Sequence, residues 1–404
     1  MTIGTEPYKG VRDFYPEDMA IQNYILQTMR KTAETFGYVE YSASVLEPAE
    51  LYRAKSGEEI VNEQTYTFTD RGEREVTLRP EMTPTLARMI AGKKKSLLFP
   101  IRWYSIPNLF RYERPQKGRL REHWQLNVDV FGIEDISAEV EIIEVANSIM
   151  KNFGVKSESF EIRINDRRLV DSALKELGLD DDQSYRMKKL LDKKNKIDNF
   201  EKEAEKIAGK KVSFNLTTNK DLDDVIGALK ERGITNVVFD PYLMRGFDYY
   251  TGIIFEVFDK SGDNNRSLFG GGRYDRLLEI FGEKKIPAMG FGMGDVTIGD
   301  VLTTYNLLPE YVSTTHLYIC TVDQDSFRSA NDLAKTLRES NINVIVDMSG
   351  KKIGSQIEYA SKKNIPFVIC VGQNELESGN YTLKNLASGE ERTLKLEQIP
   401  EAIG

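Results

Sequence analysis

The heptapeptide 124-WQLNVDV-130 limits what this chain can fold into more than any other stretch. Trp124, Leu126, Val128 and Val130 fall on one side by the two-residue period of a strand; Gln125, Asn127 and Asp129 fall on the other, about 6.5–7 Å apart. Such alternation builds a strand with one apolar and one polar face, the pattern of an antiparallel sheet packed on one side. The polar row serves equally well as a wet face or as the wall of a binding site. Just before it, Arg111, Arg114, Lys117, Arg119 and Arg121 surround a Pro-Gln-Lys-Gly tip, in a chain of net charge −8. A solvated hairpin tolerates that run, whereas a strongly anionic ligand needs it, because the guanidinium fork donates two parallel bonds to a phosphate.

The rest of the chain sets this strand in a larger plan. At 404 residues, two or three domains are expected. Residues 17–36 read as an amphipathic helix stopped by Gly37, and residues 37–132 as mostly short strands. Residues 137–152 are helical by pattern, and 159–165 form a strand. From about 168 to 236 the texture becomes charge-dense and poor in aromatics, which predicts small peripheral helices inserted into the core. Beyond a linker at 305–315, strand and helix signals alternate as βαβαβ, hence a parallel sheet with covering helices. The expected fold is α+β: an antiparallel core over 1–168 and 239–304, an insertion over 169–238, and an α/β domain with its linker over 305–404.

Composition excludes several functions. No apolar run approaches the ~18–20 residues of a membrane helix, and the first residues lack a signal-peptide core. Cys320 and Cys370 lie in strand-like runs and read as buried thiols. His123 and His316 are the two histidines, too few for a His-based triad or metal cluster. A cytoplasmic protein is expected.

Further residues carry candidate chemistry. Glu81 and Thr83 follow a strand that ends at Pro80; Glu81 fits a helix N-terminal carboxylate or an acceptor for an ammonium group. Gly290, Gly292 and Gly294 repeat at the strand period, leaving one face bare for close packing or for a planar ring. Neither GxGxxG nor GxxxxGK[ST] is present. The run 269-FGGGRYDRLL-278 reads as a glycine-rich turn before a helix. Arg245 stands in apolar, aromatic sequence, where it needs Asp248, another carboxylate or an anionic ligand.

Together these stretches resemble the histidyl-tRNA synthetases, a family of class II aminoacyl-tRNA synthetases. RYERPQKGRLREHWQLNVDVFG is similar to their second motif; LMRGFDYYTGIIFEV and GGGRYDRLL are similar to their two histidine signatures. YKGVRDFYPED, TLRPEMTP and the C-terminal VDMSGKKIGSQIEYASKKNIPFVICVGQNEL match further landmarks, so the likeness runs over nearly the whole chain, weakest in the insertion. The resemblance implies a class II synthetase core with an anticodon-binding domain. The implied activity is ligation of histidine to tRNA(His) using ATP with Mg²⁺, by a homodimer. It assigns Arg111 and Arg245 to catalysis and Glu81, Thr83, Gln125, Asp129, Tyr249 and Tyr250 to histidine. Arg111, Glu113, Arg119, Arg121, Gly292 and Gly294 fall to ATP, and no residue is assigned to a resident metal.

This chain departs from the family pattern at three points. Thr297 stands where the third motif carries an arginine that packs on adenine and reaches the γ-phosphate; Arg273 or Arg276 is the expected substitute. Ser44, with Pro48 four residues later, stands where a proline marks the first motif. Asp129 replaces a common glutamate. The lost arginine keeps an alternative open, a synthetase-like paralogue such as the regulatory subunit of ATP phosphoribosyltransferase.

Overall fold

The computed structural model describes residues 3–53, 64–191, 194, 197–214, 216–245, 249–262 and 266–403. They form two compact units, Met1–Pro309 and Glu310–Gly404. No helix among the described residues is long and apolar enough to cross a membrane.

The first unit is built on a nine-stranded sheet. Its strands are β1 (Val39–Glu40), β5 (Ile101–Ser105), β7 (Glu122–Phe131), β12 (Ala288–Gly294), β11 (Ser267–Arg273), β10 (Ile253–Asp259), β8 (Phe160–Asp166) and β9 (Val237–Phe239), in that spatial order, with β6 (Asn108–Phe110) also paired to β7. Only the outer pairs β1–β5 and β8–β9 are parallel. A separate three-stranded sheet holds β2 (Leu46–Pro48), β4 (Glu75–Leu78) and β3 (Tyr66–Thr69).

The alternation in β7 sorts the layers. Leu126, Val128 and Val130 are buried against α1 (Pro16–Thr35), α4 (Ser137–Asn152) and α9 (Asp295–Thr304), in one apolar cluster with Ile25, Met29, Ile142 and Ile298. The opposite face carries the polar row and a second cluster that includes Met82, Leu86, Tyr249 and Tyr274. Asp295 ties the helix side together: its carboxylate accepts from Arg12 at 2.7 Å, Gln22 at 2.9 Å and the Trp124 amide at 2.9 Å.

Three local expectations change. Within 37–132, Thr83–Lys93 forms a helix, α3, with Pro84 in its first turn and Leu86, Ala87 and Ile90 buried. The glycines of FGGGRYDRLL lie in the middle of β11, not in a turn. A Cβ at Gly271 would meet the Gly290 carbonyl at 2.0 Å, and one at Gly270 the Phe255 carbonyl at 2.3 Å. Here glycine answers close strand packing. The inserted segment also divides by packing. α5 (Arg167–Glu176), α6 (Asp181–Leu191) and α7 (Phe200–Ala208) share a small cluster of Val170, Leu174, Met187, Leu191 and Phe200. By contrast α8 (Lys220–Glu231) buries Leu222, Val225 and Leu229 in the main core, and β9 joins the sheet.

In the second unit β14 (Val344–Val346), β13 (Leu317–Thr321) and β15 (Phe367–Val371) are parallel, with α10 (Ser326–Glu339) and α11 (Ile353–Lys362) between them. Two antiparallel strands, β16 (Asn380–Asn385) and β17 (Glu391–Lys395), extend this sheet beyond the βαβαβ pattern.

Candidate active site

β7 and β12 pair so that Gly290 lies opposite Asp129, Gly292 opposite Asn127 and Gly294 opposite Gln125. The bare glycine face therefore lies beside the polar row and opens room above it. A Cβ at Gly290 would come within 2.1 Å of Asp129 Oδ1, and one at Gly292 within 2.4 Å of Gln125 Nε2. The result is an inner cavity of about 110 Å³. Gln125, Asn127 and Asp129 line it from β7, Glu81 and Thr83 from the turn into α3, and Arg245, Tyr249, Tyr250 and Tyr274 from the segments flanking β10 and β11.

Each wall is fixed by a named contact. Glu81 is buried and its Oε2 accepts the Tyr249 hydroxyl at 3.1 Å. Gln125 Nε2 donates to Asn127 Oδ1 at 2.8 Å, and Asn127 Nδ2 donates to the Gln125 carbonyl at 3.0 Å. Asp129 accepts a short hydrogen bond from the Tyr274 hydroxyl. Burial pushes Asp129 up to about 7, against the opposing pull of that hydroxyl. Burial also raises the phenols of Tyr249 and Tyr250.

Arg245 pairs with Glu256 at 2.8 Å and stands 5.8 Å from the Tyr250 ring centre. Asp248, the neighbour first considered for this pairing, lies outside the described residues. Among the described residues Arg245 Nε is buried without a hydrogen-bond partner, and its side chain lines a cavity rich in acceptors. A buried donor without a partner is costly, and an anion bound beside the Arg245 guanidinium would offset that cost.

A second, outer cavity of about 160 Å³ adjoins the first, with Arg111, Gln125 and Gly292 lining both. Its other walls include Glu113, Gly118 and Arg119 from the hairpin, His123, Gly294 and Thr297. The hairpin closes through Gln116–Arg119 backbone bonds, with Gly118 at φ 76°, where a side chain would be strained. Arg111 Nε donates to the Pro80 carbonyl at 2.8 Å, and Arg119 pairs with Glu113 at 3.0 Å. Burial, with the Arg111 cation, pulls His123 down to about 3, so its imidazole is neutral at physiological pH.

Not every sequence-selected residue reaches a cavity. Arg121 lines neither: its guanidinium stacks 4.1 Å from the Tyr112 ring centre and 5.5 Å from that of Tyr8, and it donates to the Tyr8 hydroxyl at 2.9 Å. Arg273 does not replace the missing arginine, because it is buried in bonds to Glu139, Asp275 and the carbonyls of Ile133 and Asp135. Arg276 is exposed and lines neither cavity. Thr297 does face the outer cavity, its hydroxyl donating to the Leu268 carbonyl at 2.9 Å. Sequence reading leaves Tyr274 and His123 unassigned. Only the strand period points toward Asn127 as a wall residue.

Comparison with known proteins covers nearly the whole chain. A family model described as "Histidyl-tRNA synthetase" matches residues 10–210 and 196–296, and one described as "Anticodon binding domain" matches 316–404. The histidine–tRNA ligase of Leptospira biflexa is 43% identical, covering 99% of this chain and 98% of that protein. The Thermoplasma volcanium protein of the same name is 37% identical over 97% and 96%. Among solved structures, apo S. aureus histidyl-tRNA synthetase aligns over 100% of both chains with a TM-score of 0.77 at 25% identity.

Proposed function

The chain belongs to the histidyl-tRNA synthetase family, and from that premise we propose that it is a histidine–tRNA ligase. The observation that carries the reading is the pair of adjoining cavities that share Arg111: one enclosed and lined by acidic, amide and phenolic groups, the other edged by the cationic hairpin.

Histidine occupies the inner cavity. Glu81, Thr83 and Gln125 take its ammonium group, while Asp129, Tyr249 and Tyr250 surround the imidazole. Buried polar groups left unpaired by an apolar isostere reject it strongly. ATP, arriving as its Mg²⁺ complex, lies along the outer cavity, with Glu113 at the nucleoside, Arg119 at the polyphosphate, and Gly292 and Gly294 leaving room for the base. Among the described residues no group of acidic, cysteine or histidine side chains could hold a resident metal.

The chemistry needs no protein nucleophile. A carboxylate oxygen of histidine attacks the α-phosphorus, forming the acyl-phosphate bond as pyrophosphate leaves. A terminal ribose hydroxyl of tRNA then attacks the carbonyl carbon, and AMP leaves. Arg111, at the junction, holds the substrate carboxylate near the α-phosphate; Arg245 offsets charge gathering on the phosphorus. Placement and preformed charge supply the rate. The C-terminal unit binds the anticodon of tRNA(His), and the enzyme acts in the cytoplasm as a homodimer. The full-length likeness to named ligases weighs against the regulatory-paralogue alternative.

Histidine-dependent ATP–pyrophosphate exchange, followed by charging of tRNA(His), tests the reading. Both activities are expected; histidine binding without exchange would overturn it.

A further inference from the structure

Tyr274 is buried behind the inner cavity, and its placement is over-determined. Its amide donates to the Ala288 carbonyl at 2.8 Å, and its ring packs edge-on between Phe131 and Tyr249, each 5.8 Å away between centres. The hydroxyl is thereby aimed at Asp129 Oδ1. A Cβ at Gly290 would come within 2.1 Å of the same oxygen, so only a glycine backbone fits beside it. The carboxylate is thus held by the Tyr274 hydroxyl and crowded by the Gly290 backbone. With Oδ1 committed, Oδ2 is the acceptor left for a ligand.

We propose that Tyr274 is a positioning and specificity residue: its hydroxyl holds Asp129 as a carboxylate with a single acceptor oxygen for the N–H of the substrate ring. The proposal rests on the histidine-binding reading and adds to it a cause for ring selectivity. An ionised Asp129 only accepts, so it selects a ring nitrogen that carries a proton. A protonated Asp129 would donate and accept, and would lose that discrimination. The shorter side chain at this position, aspartate where a glutamate is common, makes a fixed orientation more important because fewer rotamers reach the ring.

The phenols near Asp129 do not supply a competing charge. Tyr38, Tyr41 and Tyr274 all have phenols raised above their ordinary range by burial, so they are neutral near pH 7. Arg111, Arg245 and Glu81 share the cavity; burial raises Asp129 to about 7, against the pull of the Tyr274 hydroxyl.

The test is the pH dependence of the histidine KM in pyrophosphate exchange by the full-length enzyme. Wild type is expected to lose affinity as pH falls through about 7. Tyr274→Phe removes the donor, so this acid limb should move up by about one to two pH units, with the KM near pH 7 raised about tenfold. kcat at saturating histidine should change little. Installing 3-fluorotyrosine at position 274 alone keeps the ring but makes its hydroxyl a stronger donor, so the limb should move down. This second variant decides the matter if Tyr274→Phe does not fold. Opposite shifts support the proposal. An unmoved limb in the fluorinated enzyme, or equal KM curves for Tyr274→Phe and wild type, overturns it while leaving the ligase reading intact. Wild-type enzyme without exchange overturns both.

Discussion

The two adjoining cavities solve opposite problems with the same sheet. The inner one is walled by strand residues in fixed register, and its polar groups are bonded mainly to one another, as in Gln125–Asn127 and Asp129–Tyr274. The outer one depends on a hairpin whose cations reach solvent; the Arg119 side chain is half exposed and its partner Glu113 lies on the same loop. A buried, prepaired wall gives shape and hydrogen-bond selectivity, because any mismatch strands a desolvated group. An exposed cationic edge gives charge complementarity to a ligand already carrying several negative charges, and is open to screening by salt. Arg111 belongs to both, which is where the two ligands must meet.

The largest effect should come from the cation of the inner cavity, Arg245. Arg245→Ala is expected to reduce adenylate formation by about 10²–10³-fold, the scale for removing one preorganised donor from a developing charge. Equilibrium histidine binding should change by less than about tenfold. Equal losses in both would mean that Arg245 only supports the inner wall through Glu256. Next in size is Gly290→Ala, which places a methyl against Asp129 and the Val128 carbonyl. Overpacking of about 1–3 kcal/mol corresponds to a roughly 5- to 150-fold rise in histidine KM. ATP binding measured without histidine should hardly move; a parallel loss would merge the two cavities into one functional unit.

The sequence reveals the two cavities unequally, for physical reasons. Period two alone puts Gln125, Asn127 and Asp129 on one face of β7, and the same period lays a bare glycine face on β12. Both are local signals that survive folding. Arg121 reads as a ligand cation because its partner Tyr8 is more than a hundred positions away, and only tertiary packing brings the aromatic sandwich together. Tyr274 and His123 acquire their character from burial, which no neighbouring residue announces. The α3 helix is different. Its apolar 86, 87 and 90 spacing and early proline are visible in sequence, but they stand among strand-like segments that obscure them. Likewise the charge density of 168–236 masks the core-facing Leu222, Val225 and Leu229 stripe of α8.

The outer cavity can be sharpened by restoring what its sequence lacks. Thr297→Arg puts a guanidinium where the hairpin tip now lies, with the Thr297 methyl 3.6 Å from a notional Cβ at Gly118. If the hairpin shifts to admit it, one charged hydrogen bond of about 1.5–3 kcal/mol should lower the KM for ATP by roughly tenfold or more. Histidine KM should stay as it is. A raised KM for ATP would indicate that the hairpin needs the small residue in order to dock. Salt offers a milder probe of the same contrast. Raising ionic strength from ~0.1 M to ~1 M shortens the screening length from ~10 Å to ~3 Å. ATP affinity should weaken several-fold, and histidine affinity much less.

The smallest effect separates the cavities through stability. Asp129 has its pKa raised to about 7 in the folded state, so folding favours its protonated form. Its contribution is fully present below the ordinary carboxylate range and is lost as pH rises through about 7. His123 is depressed to about 3, so its contribution is present above the ordinary imidazole value and is lost as pH falls from about 6.5 toward 3. The two residues therefore oppose one another between about pH 4 and 6.5. Asp129→Asn should raise the melting temperature at pH 8 by about 2–4 °C per kcal/mol of relieved charge burial, with little gain at pH 4. His123→Phe should instead flatten the loss on the acid side. Thermal melts of both variants from pH 4 to 8 check this, and the same pH trend in each would contradict the separate electrostatic character of the two cavities.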